Sequence, residues 1–277
     1  MRAVTNALLI ACALIGSASR LGGTTLVVRL EKDRIILASD TRLGSLHPGP
    51  LIPQQMHHDD GCKELALGSV GFAASGMLDY KKNVPTDLVQ DWSAFSDAIE
   101  SHRKYGDDLR LMAKDWERQS ILHYELFYRF DPERVKQLAS VNSDNVLEVA
   151  FFAGWDKRDP VLIMVSVYID VNAPEVFRAR EQVLPARDLP YTSSALTQEL
   201  IEGNTPRTLA VATAWKALSA TLPRDEVDWR QTEFYIKSTA DYDTSVSQIA
   251  NIISIPVGGQ ATWLRNKTCS PLQTKQK

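Results

Sequence analysis

Residues 22–42 read GGTTLVVRLEKDRIILASDTR. The segments Thr24–Leu30 and Arg34–Ser39 are apolar and rich in β-branched residues, and the polar segment Glu31–Asp33 separates them. This pattern predicts two β-strands joined by a tight turn. Because two glycines stand directly before two threonines, the first strand opens on hydroxyl-bearing side chains near the start of the sequence.

Predicted strands and predicted helices follow one another in blocks along the rest of the chain. Further strands are predicted at Lys63–Leu67, Ser69–Ala74, Leu147–Asp156, Pro160–Asp170 and Thr232–Thr239. Helices are predicted between Thr86 and Ala139, with a break near Tyr105–Gly106 and N-caps at Thr86 and Asp131, and at Thr192–Leu200 and Arg207–Ala220. The segment Leu43–Gly61 carries prolines and glycines and predicts a loop without regular structure. Alternating blocks of this kind favour a layered α+β fold over a doubly wound parallel sheet.

The beginning of the chain has the pattern of a leader. Arg2 precedes the apolar run Ala7–Ile15, and small residues follow at Gly16–Ser19, as in a secretory signal peptide. The apolar run is too short to span a bilayer, so no stable membrane span is expected. We expect residues 1–23 to be a leader and favour export to the periplasm or the exterior; the alternative is a cytoplasmic protein with a propeptide.

Composition excludes several classes of function. Of 277 residues, 44% are hydrophobic and 23% are charged, which is usual for a folded globular protein. A formal net charge of −3 offers no basic field for phosphates, so no nucleic-acid partner is expected. The sequence contains no P-loop, dinucleotide-binding fingerprint, Gly-x-Ser-x-Gly elbow or His-Glu-x-x-His pair.

Two further features leave alternatives open. His57–Asp60, read as HHDD, supplies ligand types for a metal, but adjacent side chains on a loop rarely converge on one ion, so a solvated polar loop is favoured. Cys62 and Cys269 could form a disulfide if the protein is exported, or remain free thiols in the cytosol.

The opening segment resembles that of proteasome β subunits and bacterial proteasome-like peptidases. Those proteins begin Gly-Thr-Thr, run through a hairpin and reach Asp-Ser-Arg or a similar triplet, which here is Asp40-Thr41-Arg42. In the family the nucleophilic threonine and this aspartate are sixteen residues apart, and 40 − 24 = 16. The spacing therefore selects Thr24 over Thr25, with Arg42 as a structural neighbour.

Later segments resemble the family's later motifs in the same order. CKEL, at Cys62–Leu65, makes Lys63 the candidate for the active-site lysine. AASGMLD, at Ala73–Asp79, resembles the turn that contributes an oxyanion-hole amide, from either Ser75 or Gly76. The segment at residues 151–165, FFAGWDKRDPVLIMV, resembles a later hairpin of the family.

Two motifs of the family are altered in this chain. Its Asp-x-x-Ser motif corresponds to Asp225–Asp228, which keeps an aspartate at Asp225 and replaces the serine. The nearest substitute for its Gly-Ser-Gly segment is YTSSA, which offers Ser193 and Ser194.

The resemblance implies a chemistry in which Thr24 is the first residue of the mature protein. A threonine hydroxyl needs a base to take its proton, and a free α-amine with a pKa of about 7.7–8.0 is suited to that task. The amine is released by self-cleavage after Gly23, whose freedom of backbone conformation favours attack on the preceding carbonyl. A Lys63 ammonium lowers the hydroxyl pKa, and Asp40 holds that lysine.

The resemblance also implies a fold and a function. The expected fold is a four-layer αββα sandwich of the N-terminal-nucleophile hydrolase type, with residues 24–265 as one domain and 266–277 as a polar tail. The expected function is a self-processing threonine-type peptidase or amidohydrolase that acts on a peptide or amide and needs no metal or organic cofactor, as a monomer or a homo-oligomer. The alternative is a catalytically inactive proteasome-like assembly or binding module.

Overall fold

The computed structural model describes residues 25–46, 55–58, 62–76, 79–80, 92–140, 145–170, 172–265 and 269. The strands, in chain order, are β1 (Leu26–Leu30), β2 (Arg34–Asp40), β3 (Leu43–Leu46), β4 (Gln55–His58), β5 (Glu64–Leu67), β6 (Val70–Gly76), β7 (Asp79–Tyr80), β8 (Trp92–Ser93), β9 (Val146–Asp156), β10 (Asp159–Asp170), β11 (Ala173–Leu184), β12 (Tyr191–Thr192), β13 (Ala250–Pro256) and β14 (Thr262–Arg265). The helices are α1 (Ala94–Tyr105), α2 (Leu109–Phe130), α3 (Pro132–Ser140), α4 (Ala195–Glu202), α5 (Pro206–Ser219) and α6 (Val227–Ala240).

Two five-stranded antiparallel sheets dominate the described part of the chain. Sheet one has the strand order β12-β1-β2-β13-β14, and sheet two has the order β11-β10-β9-β6-β5. The pairs β3–β4 and β7–β8 form two small additional ribbons. The expectation of an α+β fold with antiparallel sheets is therefore confirmed.

The predicted first hairpin forms sheet one's centre. Residues of β1 and β2 pair from Leu26 with Ser39 to Leu30 with Ile35. Side chains alternate between the faces of a strand, and Leu37 accordingly joins the core between the sheets, while Ile36 packs in the cluster that contains Ile236 of α6. Both faces of the hairpin are buried, which explains why its two segments are almost continuously apolar.

The second sheet is covered on one face by helices. Trp116 of α2 packs against Phe72 and Phe152 of the sheet, and its indole Nε1 donates to the Ala94 carbonyl at 3.0 Å. The predicted break between helices is confirmed at Gly106, which has a φ of +61°. Helix α1 begins after Ser93, and the predicted cap Thr86 lies outside the described residues.

The predicted strand Thr232–Thr239 is wrong, because the segment is part of α6. Its β-branched residues suggested a strand, but the buried side chains recur at helical spacing. Hydroxyls also satisfy the helix backbone locally: Thr239 Oγ1 donates to the Tyr235 carbonyl at 2.8 Å. The strand that pairs with β2 on the side away from β1 is instead β13.

The prediction of an irregular loop over Leu43–Gly61 is also wrong in part. Leu43 pairs with His58 and Leu46 pairs with Gln55, so two short strands form within it. The prolines of the segment fall between these strands and do not interrupt their pairing.

Other predicted elements are confirmed. The hairpin β9–β10, the strands β5 and β6, and the helices α4 and α5 lie where the patterns place them, within a few residues. The twelve-residue strand β11 was not predicted. Among the described residues, no helix has both the length and the apolar character needed to cross a membrane.

Candidate active site

A buried ion pair joins the two sheets at the end of β2. Asp40 is the last residue of β2, and Lys63 immediately precedes β5. The Lys63 Nζ lies 3.1 Å from Asp40 Oδ1 and 3.0 Å from Oδ2, and both side chains are 0% exposed. Two of the residues selected by the family resemblance are therefore in direct contact.

The Asp40 carboxylate is also held by backbone N–H groups. Its Oδ2 accepts from the Thr25 nitrogen at 2.7 Å, and its Oδ1 accepts from Arg42 at 2.9 Å and from Ser247 at 3.4 Å. Hydrogen bonds to a carboxylate are stronger than those between neutral groups. With the Lys63 ammonium as a further donor, the orientation of Asp40 is strongly constrained.

Thr25 connects this pair to the start of the chain. Besides the bond from its N–H, its carbonyl accepts from the Asp40 N–H at 3.0 Å. Thr24 and Gly23 lie outside the described residues. The candidate nucleophile is, however, joined by its peptide bond to a residue that Asp40 holds at both backbone groups.

Burial sets the electrostatics of Lys63. Removal from water lowers the pKa of Lys63 below its ordinary value of 10.5, although the charge and hydrogen bond of Asp40 oppose this change. A lysine of this kind gives up its proton more readily than one in water. Buried ion pairs are poor stabilising devices, because desolvation offsets their attraction. The Asp40–Lys63 pair is therefore a candidate functional site.

Ser193 lies beside the first strand. Its hydroxyl oxygen accepts from the Leu26 N–H at 3.0 Å, and its own N–H donates to the Leu26 carbonyl at 3.1 Å. The neighbouring Ser194 instead caps α4 by accepting from the Thr197 N–H at 3.2 Å. Of the two serines suggested by the sequence, the structure brings Ser193 to the start of β1.

The turn before β13 supplies a residue that the sequence did not single out. Ser247 donates its N–H to Asp40, and its hydroxyl oxygen accepts from Thr41 Oγ1 at 3.2 Å. The Arg42 guanidinium donates to the Thr244 carbonyl in the same turn. The residues Asp243, Thr244 and Ser245 are typical of a turn, but nothing in the local sequence indicates that this turn meets β2.

Asp225 is not brought to this site. It is exposed and lies before α6, whereas Thr244 and Ser247 follow the other end of that helix. A helix of 14 residues is about 21 Å long. Asp228 is held elsewhere, since its Oδ2 accepts from Arg34 Nη2 at 2.8 Å at the opposite end of β2 from Asp40.

The segment of the predicted oxyanion turn begins inside a strand, since Ser75 and Gly76 are the last two residues of β6, which pairs with β5. The Ala74 N–H donates to the Lys63 carbonyl at 3.1 Å, so Ser75 and Gly76 continue directly from this contact. Ser75 is buried, and Gly76 has a φ of +111°. A Cβ on Gly76 would meet the Leu147 carbonyl and would lie 2.8 Å from Glu148 Cα.

We expect Gly76→Ala to lower the free energy of unfolding by about 1–3 kcal/mol, because a side chain there is both strained and obstructed by backbone. Gly106→Ala is a matched control, since Gly106 also has a positive φ but no atom lies within 4 Å of its added Cβ. Urea unfolding of both variants measures the difference. Equal losses would show that the backbone contact at Gly76 is unimportant.

A disulfide lies directly beside Lys63. Cys62 is bonded to Cys269, with Cα atoms 4.7 Å apart, which decides between the two alternatives left by the sequence. Cys269 falls within the predicted polar tail, yet it is only 5% exposed. Its Sγ accepts from Asn251 Nδ2 of β13 at 3.2 Å. The disulfide thus ties the lysine segment to sheet one and to a residue beyond β14.

We expect Cys269→Ser, or reduction by a dithiol, to lower the free energy of unfolding by roughly 2–5 kcal/mol, because the bond joins residues 207 positions apart. Denaturant unfolding with and without reductant measures this loss. Ser254→Ala, at a buried hydroxyl elsewhere on β13, is a control that should not depend on reductant. Equal stability of oxidised and reduced protein would contradict the expectation.

Glu64 lies near the site and, like Ser247, was not indicated by any sequence motif. It follows Lys63 in the chain and is fully buried. Removal from water raises the pKa of Glu64 well above its ordinary value of 4.5, and the Asp40 charge acts in the same direction. Burial therefore favours the neutral form of Glu64 beside the ion pair, against the smaller opposing effects of Ser39 and Lys63.

Within the described ranges, no group of three or more His, Cys, Asp or Glu side chains is placed to hold a metal ion. Asp59 and Asp60 of the HHDD segment lie outside those ranges. Comparison with known proteins adds no relative: no protein-family model matches the chain, and no curated protein shows significant similarity to it.

Proposed function

We propose that this protein is a self-processing threonine-type peptidase or amidohydrolase whose nucleophile is Thr24. The observation that carries the proposal is the buried Asp40–Lys63 pair, which holds the Thr25 N–H. Asp40 ends a strand of sheet one and Lys63 directly precedes a strand of sheet two, and both match the family's motifs. The chain neighbour of the candidate nucleophile is bonded to this pair.

The proposal includes a four-layer αββα arrangement of the N-terminal-nucleophile hydrolase type. Supporting contacts come from three clusters: α2 packs on the outer side of sheet two, apolar side chains of both sheets meet between them, and α6 packs on β1 and β2. In such an arrangement the start of β1, the end of β2 and the start of β5 lie at one edge, where the proposed chemistry occurs.

In the proposed reaction the free amine of Thr24 takes the proton of the Thr24 hydroxyl, and the oxygen attacks the substrate's amide carbonyl. The amine then returns this proton to the departing nitrogen, which leaves an ester between Thr24 and the acyl group. Water attacks the ester while the amine accepts a proton from it, and the amine then returns this proton to the Thr24 oxygen as the acid is released. The positive charge of Lys63 favours ionisation of the hydroxyl, and Asp40 fixes the lysine.

The free amine arises by cleavage after Gly23. The Thr24 hydroxyl attacks the Gly23 carbonyl, the peptide bond is replaced by an ester, and water hydrolyses that ester. No external reagent other than water is consumed. We propose that the substrate is a peptide or other amide and that the protein is exported. The Cys62–Cys269 disulfide supports export, because such bonds persist mainly in oxidising compartments.

Covalent labelling of the purified protein tests the nucleophile directly. A β-lactone probe should form an ester with Thr24, detected as a mass increase on the N-terminal peptide by tandem mass spectrometry. Pre-incubation with a peptide amide substrate should slow labelling. A processed protein that begins at Thr24 but takes up no probe and cleaves no peptide would instead favour the inactive assembly or binding module.

A further inference from the structure

A set of polar side chains lies in the otherwise apolar core between the sheets. Ser39 shares a face of β2 with Ile35 and Leu37, which belong to that core. Glu64 pairs with Ala73 of the same core across β5 and β6. Directly paired residues of an antiparallel sheet project to the same side, so Glu64 and Ser39 face each other from opposite sheets.

Ser75 and Asn251 belong to the same set. Ser75 lies two residues after Ala73 on β6 and therefore shares its face. Asn251 pairs with Ser39 on β13, and its amide donates to the disulfide sulfur of Cys269. We call Ser39, Glu64 and Ser75 the inter-sheet polar cluster; all three side chains are fully buried.

The hydrogen-bonding capacity of this cluster is not filled by protein groups. Burial raises the pKa of Glu64, and its interaction with the Ser39 hydroxyl lowers this pKa by a smaller amount. Nevertheless, the Ser39 and Ser75 hydroxyls and both Glu64 carboxyl oxygens lack a hydrogen-bond partner of good geometry among the described residues. Buried polar atoms are rarely left in this state, and small groups of them usually share ordered water.

The cluster also borders the proposed catalytic pair. Glu64 is the chain neighbour of Lys63, and the charges of Asp40 and Lys63 act on its carboxyl. The Lys63 ammonium balances the charge of the Asp40 carboxylate. A second buried carboxylate would have no counter-ion, so Glu64 is accommodated most favourably as a neutral acid.

We infer that Glu64, Ser39 and Ser75 bind buried water between the sheets, with the Glu64 carboxyl present there as a neutral acid that donates to this water. The water site does not rest on the proposed function. Water is the ligand of suitable chemistry because it can donate to the carbonyl oxygen of an acid and accept from its O–H.

The water site is tested by a crystal structure at a resolution that shows ordered solvent. At least one water should lie within hydrogen-bond distance of the Glu64 carboxyl and of a hydroxyl of Ser39 or Ser75. A cluster whose members bond only to one another, with no water, would overturn the inference. Neither outcome depends on Thr24 or on activity.

The neutral state of Glu64 is tested by NMR titration of its carboxyl in protein labelled on its glutamates, with Glu64→Gln to assign the signal. Burial should hold the pKa of Glu64 well above its ordinary value of 4.5, so this carboxyl should not titrate together with the exposed glutamates. Glu148→Gln is the matched control. Burial also raises the pKa of Glu148 well above 4.5, but Glu148 lies beside Tyr124 in the helix-covered core.

The pH dependence of stability tests the neutral state of Glu64 independently. A folded-state pKa above the unfolded value means that the folded protein binds more protons between the two, so the free energy of unfolding falls as the pH rises through that window. Both Gln variants should weaken this fall, because each removes one buried acid. A Glu64 carboxyl that titrates together with the exposed glutamates would overturn the assignment of a neutral acid to the cluster, even if Thr24 proves to be the nucleophile.

Discussion

Purified wild-type protein should begin at Thr24, and Thr24→Ala should retain the residues that precede position 24. Removal of the hydroxyl leaves no group to attack the Gly23 carbonyl, so self-processing should fall by on the order of 10⁴-fold or more. If a signal peptidase cuts after Ser19, the variant will start at Arg20. Intact mass measurement and N-terminal sequencing of protein expressed under the same conditions distinguish these products.

Thr25→Ala is the matched control for this experiment. Thr25 is the neighbouring threonine, but its bonds to Asp40 are made by its backbone N–H and carbonyl, which the substitution keeps. We therefore expect Thr25→Ala to be processed at the same bond. If Thr24→Ala is cleaved like the wild type, another protease removes the leader; if the wild type is not cleaved, Thr24 is not an N-terminal nucleophile.

Lys63→Met should both destabilise the protein and stop its processing. The substitution preserves most of the side-chain volume but leaves the Asp40 carboxylate buried without its counter-ion, which costs about 3–5 kcal/mol. Asp40→Asn should cost a similar amount, because it leaves the Lys63 ammonium unbalanced. Denaturant unfolding measures the stability, and intact mass measures the processing of the folded fraction.

The double variant and a surface control separate the charge effect from packing. Lys63→Met combined with Asp40→Asn should recover part of the lost stability, because neither charge remains, but should not recover processing. Lys136→Met removes a lysine from the exposed pair with Glu133, whose side chains are 44% and 84% exposed, and should change stability little, because water screens such pairs. Equal effects of Lys63→Met and Lys136→Met would show that burial of the Lys63–Asp40 pair is unimportant.

Local patterns predicted the elements whose signals lie within a few consecutive residues. The hairpin β1–β2 was evident because apolar, β-branched segments flank a polar turn. The same reasoning was wrong for Thr232–Thr239, where β-branched composition outweighed a helical spacing of buried residues. Packing against sheet one determines the outcome there, since α6 buries Ile236 among Val27, Ile36 and Ala38.

The candidate site was predicted only where a motif carried it. Thr24, Asp40 and Lys63 were selected by motif and spacing, and the last two are in contact. Ser247, Glu64 and Asn251 stood in no motif, because their relation to the site depends on which strands become neighbours. Conversely, Asp225 had a suitable motif but lies at the wrong end of α6.

The sequence by itself determined the strand and helix segments with strong periodicity, the α+β class and the expectation of a threonine nucleophile near a lysine and an aspartate. Only the tertiary structure decided that Lys63 meets Asp40 across two sheets, that Cys62 is bonded to Cys269, and that Glu64 faces Ser39. The physical reason is that periodicity and turn chemistry act only between residues that are close together in the chain. Contacts between distant residues instead depend on sheet order and strand register, which are set by burial of the whole core.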